Sequence, residues 1–236
     1  MKVNEEMPIL KSTKTSTGVL DLDIILEGGY SNPANILVLG PTGMEKAALG
    51  FHFIASIDQK KECAIAICSD CSPANVVEKA ASIGINLQKE WIYFIDCYSS
   101  TLGGKKPPVA TDEISIVSGP GALNDLSLAI NELIKKSAGK RIHILFYSLS
   151  TFVLYNPKDS IVKFLQVVGG RLKNAEATTL FLVEEGVHDK QLVGVLEHSM
   201  DWTIELFNKG DAVELNIPGI GITIPLKLGP SGITVL

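Results

Sequence analysis

Short runs of unbroken apolar residues, each followed by a helical stretch, constrain this 236-residue chain more than any other feature. Strands are expected over residues 35–39, 63–68, 91–96, 114–118, 142–147 and 178–183, and helices over 46–60, 72–83, 122–137, 158–174 and 189–199. Unbroken apolar runs belong to strands buried on both faces, so the pattern points to an α/β domain with a mostly parallel central sheet flanked by helices. Local signals agree. Ser72-Pro73 marks a helix start, Gly84 a helix stop, and Leu123, Leu126, Ile130, Leu133 and Ile134 form a stripe at helical spacing. Beyond residue 201 the rhythm changes to short β runs at 203–207, 211–217, 220–228 and 232–235, punctuated by Gly210, Pro218-Gly219 and Gly229-Pro230. These read as C-terminal antiparallel hairpins finishing the same sheet. Residues 99–112, rich in Ser, Gly, Lys and Pro, read as a mobile surface loop. No linker, repeat or low-complexity tract divides the chain, so 1–236 is expected to be a single domain.

At one strand-to-helix junction the chain carries a phosphate-binding pattern with its chemistry altered. Ile36-Leu37-Val38-Leu39 leads into Gly40-Pro41-Thr42-Gly43-Met44-Glu45-Lys46-Ala47, which opens a helical run. A G-x-x-x-x-G-K-[ST] loop holds phosphate with successive backbone N–H groups and a helix N-terminus. Gly40 and Lys46 fit that pattern, whereas Glu45 stands at the second glycine and Ala47 at the hydroxyl residue. A carboxylate at ~4 Å from a phosphate charge repels it by about 4 kcal/mol at an effective dielectric of 20. Alanine cannot supply the hydroxyl that ligates Mg²⁺. Read without these roles, the segment is a plain strand–turn–helix with two glycines, and Lys46 a first-turn lysine that snorkels or pairs with a nearby carboxylate. Glu45 is expected to fold toward the phosphate position, capping the first turn or pairing with Lys46.

Composition excludes several classes. With 46% hydrophobic and 20% charged residues the chain is core-rich and globular. A net charge of −5 gives no global footprint for nucleic acid, and the basic pairs Lys60-Lys61, Lys105-Lys106, Lys135-Lys136 and Lys140-Arg141 are scattered. No apolar run approaches the ~18 residues of a membrane span. The N-terminal residues, with Glu5 and Glu6, do not read as a signal peptide, so a cytoplasmic location is expected.

Four further stretches carry a resemblance. They are Thr17-Gly18-Val19 through Leu22-Asp23 to Gly28-Gly29-Tyr30, then Cys68-Ser69-Asp70-Cys71-Ser72-Pro73. The third runs from His188-Asp189 through Leu196-Glu197-His198 to Asp201-Trp202-Thr203-Ile204-Glu205-Leu206, and the last from Pro225 to Ile233. Together with the loop, in this order, they make the chain resemble the KaiC/RadA-like branch of the RecA superfamily, as found in archaeal ATPase domains. The resemblance implies a RecA-like P-loop NTPase fold and an ancestry among proteins of clock control, recombination and archaellum assembly, many of them rings.

Carried over residue by residue, the resemblance also implies losses. The strand Ile142-His143-Ile144-Leu145-Phe146 should end in the metal-positioning aspartate of D-S-L-S, and Tyr147-Ser148-Leu149-Ser150 stands there. The acidic pair at the second strand's end corresponds to Asp70 and Cys71. The trans-acting cations of K-x-R-G correspond to Asn216-Ile217-Pro218-Gly219. Phosphoryl transfer depends on positioning and electrostatics, so these losses imply a pseudo-ATPase with no catalytic residues and no bound metal. No cofactor is expected, with ATP at most a weak ligand. Protein partners are expected, and a nucleotide-dependent hexamer is not.

Other constellations carry less. Cys68 and Cys71 form C-x-x-C at a strand–helix junction, with Cys97 at the end of another strand run; a thiol there would be acidified by the helix N-terminus, giving a dithiol redox alternative. No fourth Cys or spaced His completes a zinc site. His52 and His143 read as satisfied core or surface-facing residues, and Glu184-Glu185 as either an acidic pair or the charged start of a loop. Binding of single-stranded DNA, as in recombinase paralogues, remains a further alternative, as does an ATP sensor without efficient hydrolysis.

Overall fold

The computed structural model describes residues 13–103, 108–210 and 212–236. The N-terminal residues that do not read as a signal peptide, Lys105-Lys106 and Asp211 lie outside them. A small ribbon opens the fold, β1 (Thr13–Thr15) paired antiparallel with β2 (Tyr30–Asn32) around α1 (Leu20–Ile25). Parallel strands and helices follow: β3 (Ala34–Gly40), α2 (Met44–Ala55), β4 (Glu62–Cys68), α3 (Pro73–Ser82), β5 (Ile92–Asp96) and β6 (Ile114–Ile116). Next come α4 (Leu123–Lys136), β7 (Arg141–Phe146), α5 (Leu149–Tyr155), α6 (Lys158–Asn174), β8 (Ala177–Glu184) and α7 (Lys190–His198). The chain closes with β9 (Trp202–Lys209), β10 (Ala212–Ile217), β11 (Ile222–Gly229) and β12 (Gly232–Val235).

Ten strands form one sheet in the order β12-β11-β10-β9-β3-β8-β7-β4-β5-β6. From β9 to β6 every pairing is parallel, and β9 to β12 is an antiparallel meander. This is the expected sheet with its C-terminal hairpins. Its two faces carry two cores, as side chains alternate across a strand. Ile36 and Val38 join Phe51 and Ile54 of α2 and Val76 of α3 on one face. Leu37 joins Leu126, Phe164 and Leu196 of the other helical layer. Burial on both faces is what the unbroken apolar runs recorded.

The start of α3 is as read. Ser72 Oγ accepts from Asn75 N–H at 3.3 Å, Pro73 opens the helix, and Gly84 turns out of it at φ 75°. Two expectations shift. The helix after the glycine loop begins at Met44 and ends at Ala55, rather than spanning 46–60. A short helix, α5, follows β7 where none was expected, started by Ser148 Oγ accepting from Thr151 N–H. The 99–112 segment contains a short 3₁₀ turn over Ser99–Leu102. Among the described residues no helix is long and apolar enough to cross a membrane.

Candidate functional site

Gly40 ends β3, and the chain takes only Pro41, Thr42 and Gly43 to reach α2. A Cβ on Gly40 would come within 2.8 Å of Leu206 Cβ on β9, so packing between neighbouring strands already requires glycine there. Met44 is the first residue of α2, which places Glu45, Lys46 and Ala47 inside its first turn. Glu45 Oε2 lies over Gly43, 2.6 Å from where a Cβ on that glycine would be. Its carboxylate thus lies over the glycine loop, but among the described residues the expected cap on the first turn of α2 is not made.

The expected Glu45–Lys46 pair is corrected: the partner of Lys46 is Glu184. The ammonium lies 2.7 Å from Glu184 Oε2 and donates to the carbonyls of Gly40 at 3.1 Å, Val183 at 3.1 Å and Pro41 at 3.4 Å. It does not snorkel, being only 4% exposed. Burial pushes its pKa down, against the opposing pull of Glu184. Glu184 also accepts from Thr42 Oγ1 at 3.2 Å, while its own N–H donates to Ser150 Oγ at 2.8 Å. Ser150 thus has a role, holding the end of β8 against the glycine loop. Glu185 N–H bonds Gly40 O at 2.8 Å and stitches β8 to β3 one step further. Sequence reasoning left Glu184 between two readings, because nothing in the order of residues says that β8 lies beside β3.

Tyr147 follows β7 and fills the position where the resemblance implies an aspartate. Its ring stacks on Phe51 of α2, centroids 5.6 Å apart and planes within 8°. Its hydroxyl accepts from Lys79 Nζ at 3.3 Å, and that ammonium also lies 5.4 Å over the ring. Burial pushes the Tyr147 phenol up to about 12. Lys79 reaches Cys71 Sγ at 3.8 Å as well, so a lysine ammonium bridges the two positions. Asp70, beside Cys71, is exposed.

The thiols do not form an acidified pair. Cys71 is pushed up to about 12 by burial and then by Asp70, not lowered by the start of α3. Cys68 and Cys97 are fully buried, with Cys97 N–H bonded to Cys68 O at 2.8 Å, and burial raises both thiols. Desolvation of the thiolate outweighs the helix terminus here. Among the described residues no three His, Cys, Asp or Glu side chains gather closely enough to hold a metal.

Asn216 of β10 is committed within its hairpin, donating to Glu205 Oε2 at 2.8 Å and accepting from Thr223 Oγ1 at 3.2 Å. Pro218 and Gly219 form a 3₁₀ turn beyond it. The basic pairs are less scattered than their sequence positions imply. Lys61, Lys140 and Arg141 line one cleft of 490 Å³, but Lys61 pairs with Asp58 and Arg141 with Glu62.

Comparison with known proteins places this architecture. The family profile described as "ATPase: KaiC" matches residues 15–216. The circadian clock oscillator protein KaiC of Prochlorococcus marinus (strain MIT 9313) is 27% identical over 176 residues, 72% of this chain and 33% of that protein. KaiC of Parathermosynechococcus lividus is 26% identical over the same length, 30% of its own. The chain therefore spans about a third of the length of these relatives. A crystal structure of a KaiC-like protein from the hyperthermophilic archaeon Pyrococcus horikoshii OT3 superposes with a TM-score of 0.71 at 18% identity, covering 95% of this chain and 99% of that one. Matched by its profile across most of its length, the chain belongs to the KaiC ATPase family.

Proposed function

We propose that this protein is a non-hydrolysing KaiC-like module, a cytoplasmic regulator or scaffold that acts by binding other proteins. One observation carries the reading: the only lysine of the glycine loop is held inside the protein by Glu184 and three carbonyls. A triphosphate does not fit this arrangement. The loop has three residues outside the helix, the Glu45 carboxylate lies over Gly43, and Glu184 competes for the cation that phosphate would need. The residues at the metal positions do not fit Mg²⁺ either. Ala47 has no oxygen on its side chain, and Lys79 already brings a positive charge to Tyr147.

A RecA-like core kept intact without these contacts favours binding over chemistry. Titration calorimetry with ATP and Mg²⁺, together with phosphate release, tests the reading. Neither heat nor turnover is expected at ATP concentrations up to the millimolar range. Micromolar ATP affinity would move the protein to an ATP sensor, and turnover to an ATPase; either would overturn the proposal. Without a nucleotide to reinforce a subunit contact, a monomer, dimer or hetero-assembly is expected. A hexamer that tightens with ATP in gel filtration would contradict it.

A further inference from the structure

Helix α7 leaves a two-lobed cleft between itself and the β3–β9–β10 part of the sheet. One lobe, 460 Å³, is lined by half-buried Met200 and Trp202, buried Ile217 and exposed Ile220. The other, 450 Å³, has Leu39 and Val193 beside His188. Glu197, in the last turn of α7, lines both. The two lobes therefore share Glu197 at one end of the helix, whose nine residues span about 13 Å, the reach of about four residues of extended chain.

The rim is acidic. Glu185 and Glu197 line the cleft, and Glu205 adds a third carboxylate from β9, in register with Leu39 of β3. Among the described residues none of the three makes an ion pair, although Glu205 accepts one hydrogen bond from Asn216. Asp201 also lines it, but its oxygens are taken by Lys173 and by Asn35 N–H. Lys190 is on the lining with the opposite sign. Among the described residues these carboxylates do not gather as a group of three that could hold a metal ion. Separate carboxylates along an apolar trough match separate cations carried on one chain.

We infer that this cleft docks an extended segment of a partner protein in which Lys or Arg alternates with large apolar residues. Alternation follows from extended geometry: successive side chains point to opposite sides, so apolar residues reach the floor while cations meet the rim. A phosphorylated or acidic peptide is repelled by the same carboxylates. The inference deepens the protein-binding reading and rests on it for its purpose, but not on the state of the glycine loop.

The test uses a fluorescein-labelled octapeptide of alternating Arg and Leu, with an alternating Glu and Leu octapeptide beside it. Anisotropy should show saturable binding of the basic peptide alone, weakened by added salt. Its unlabelled form should shift the emission of Trp202, a change that Trp202→Phe removes. Glu197→Arg and, separately, Glu185→Arg should weaken binding at least tenfold. Glu132→Arg, the same charge change on an exposed site of α4, should leave it within twofold.

Equal losses in all three variants would show attraction to net charge alone and overturn the inference, as would no binding. Self-association abolished by Glu197→Arg would make the occupant a second copy and overturn it too. ATP turnover measured on the same sample decides the non-hydrolysing reading separately, so failure of the cleft and failure of that reading are told apart.

Discussion

Glu184 at the end of β8 and Lys46 in the first turn of α2 meet at 2.7 Å, and this contact ties the start of α2 to the end of the neighbouring strand. Removing one partner of a buried pair leaves the other charge uncompensated, which costs about 3–5 kcal/mol when both are fully buried. Glu184 is 28% exposed, and Lys46 keeps its three carbonyls, so Glu184→Ala should destabilise by about 2 kcal/mol. Urea unfolding of Glu184→Ala, Lys46→Met and the double variant measures it. The double variant should lose clearly less than the sum of the singles; strict additivity would deny the coupling.

Nucleotide affinity gives a second consequence of the same pair. Glu45→Gly with Ala47→Thr restores the loop pattern, yet Lys46 stays with Glu184 in that variant. Adding Glu184→Gln should be the step that yields measurable ATP binding by calorimetry, and the triple variant should still release no phosphate because Tyr147 and Asn216 are unchanged. ATP binding already present in the double variant would show that Glu184 does not control the loop.

Tyr147 predicts a cost for restoring the motif's acid. Tyr147→Phe keeps the stack on Phe51 and loses the hydrogen bond from Lys79, which should cost about 1 kcal/mol. Tyr147→Asp removes the ring as well and leaves a void beside Phe51, which should cost about 3 kcal/mol. Thermal or urea unfolding of the two variants checks the order. Equal stability of Tyr147→Asp and the parent would mean the ring is not a packing element.

The parallel sheet was legible because strands covered on both faces leave unbroken apolar runs, as in Ile36–Leu39 and Ala64–Cys68. Helix α5 was not. Its seven residues follow β7 after only Tyr147 and Ser148, and Leu149, Phe152 and Val153 continue an apolar stretch too short to show its period. The position of Tyr147 in the motif was readable, but not the Lys79 ammonium beside it, because Lys79 arrives from α3. Glu184 was hidden for the same reason. A pair between a helix and a separate strand has no signature along the chain, and the expected helix start at residue 46 made the loop longer than the one that α2 leaves.

Cysteine chemistry tests the redox alternative. With Cys71 raised to about 12 and Cys68 and Cys97 buried, the thiolate fraction at pH 7.5 is small and access poor. Iodoacetamide under native conditions should therefore label slowly, at half-buried Cys71 first, and all four cysteines should react once the chain is unfolded in guanidinium. Mass spectrometry of the labelled sites reads the order. Rapid native labelling of Cys68 and Cys71 together would restore a dithiol function.

His52 sets a dependence of stability on pH. The Nε2 atom of this α2 residue accepts from Ile233 N–H of β12 at 2.9 Å, so it carries no proton in the folded protein. Burial pushes the imidazole pKa below its ordinary 6.5. Between the lowered folded value and about 6.5 the unfolded chain binds a proton that the folded chain does not, so stability rises with pH through that window. His52's contribution is fully present above about pH 6.5 and is lost as the pH falls through the folded value. His188, also lowered by burial, adds a slope of the same sign, so His52→Gln should flatten the fall between pH 7 and 5 without abolishing it. Urea midpoints at half-unit pH steps for the parent and the variant decide it. Parallel curves would show that the contact between α2 and β12 does not depend on the charge of His52.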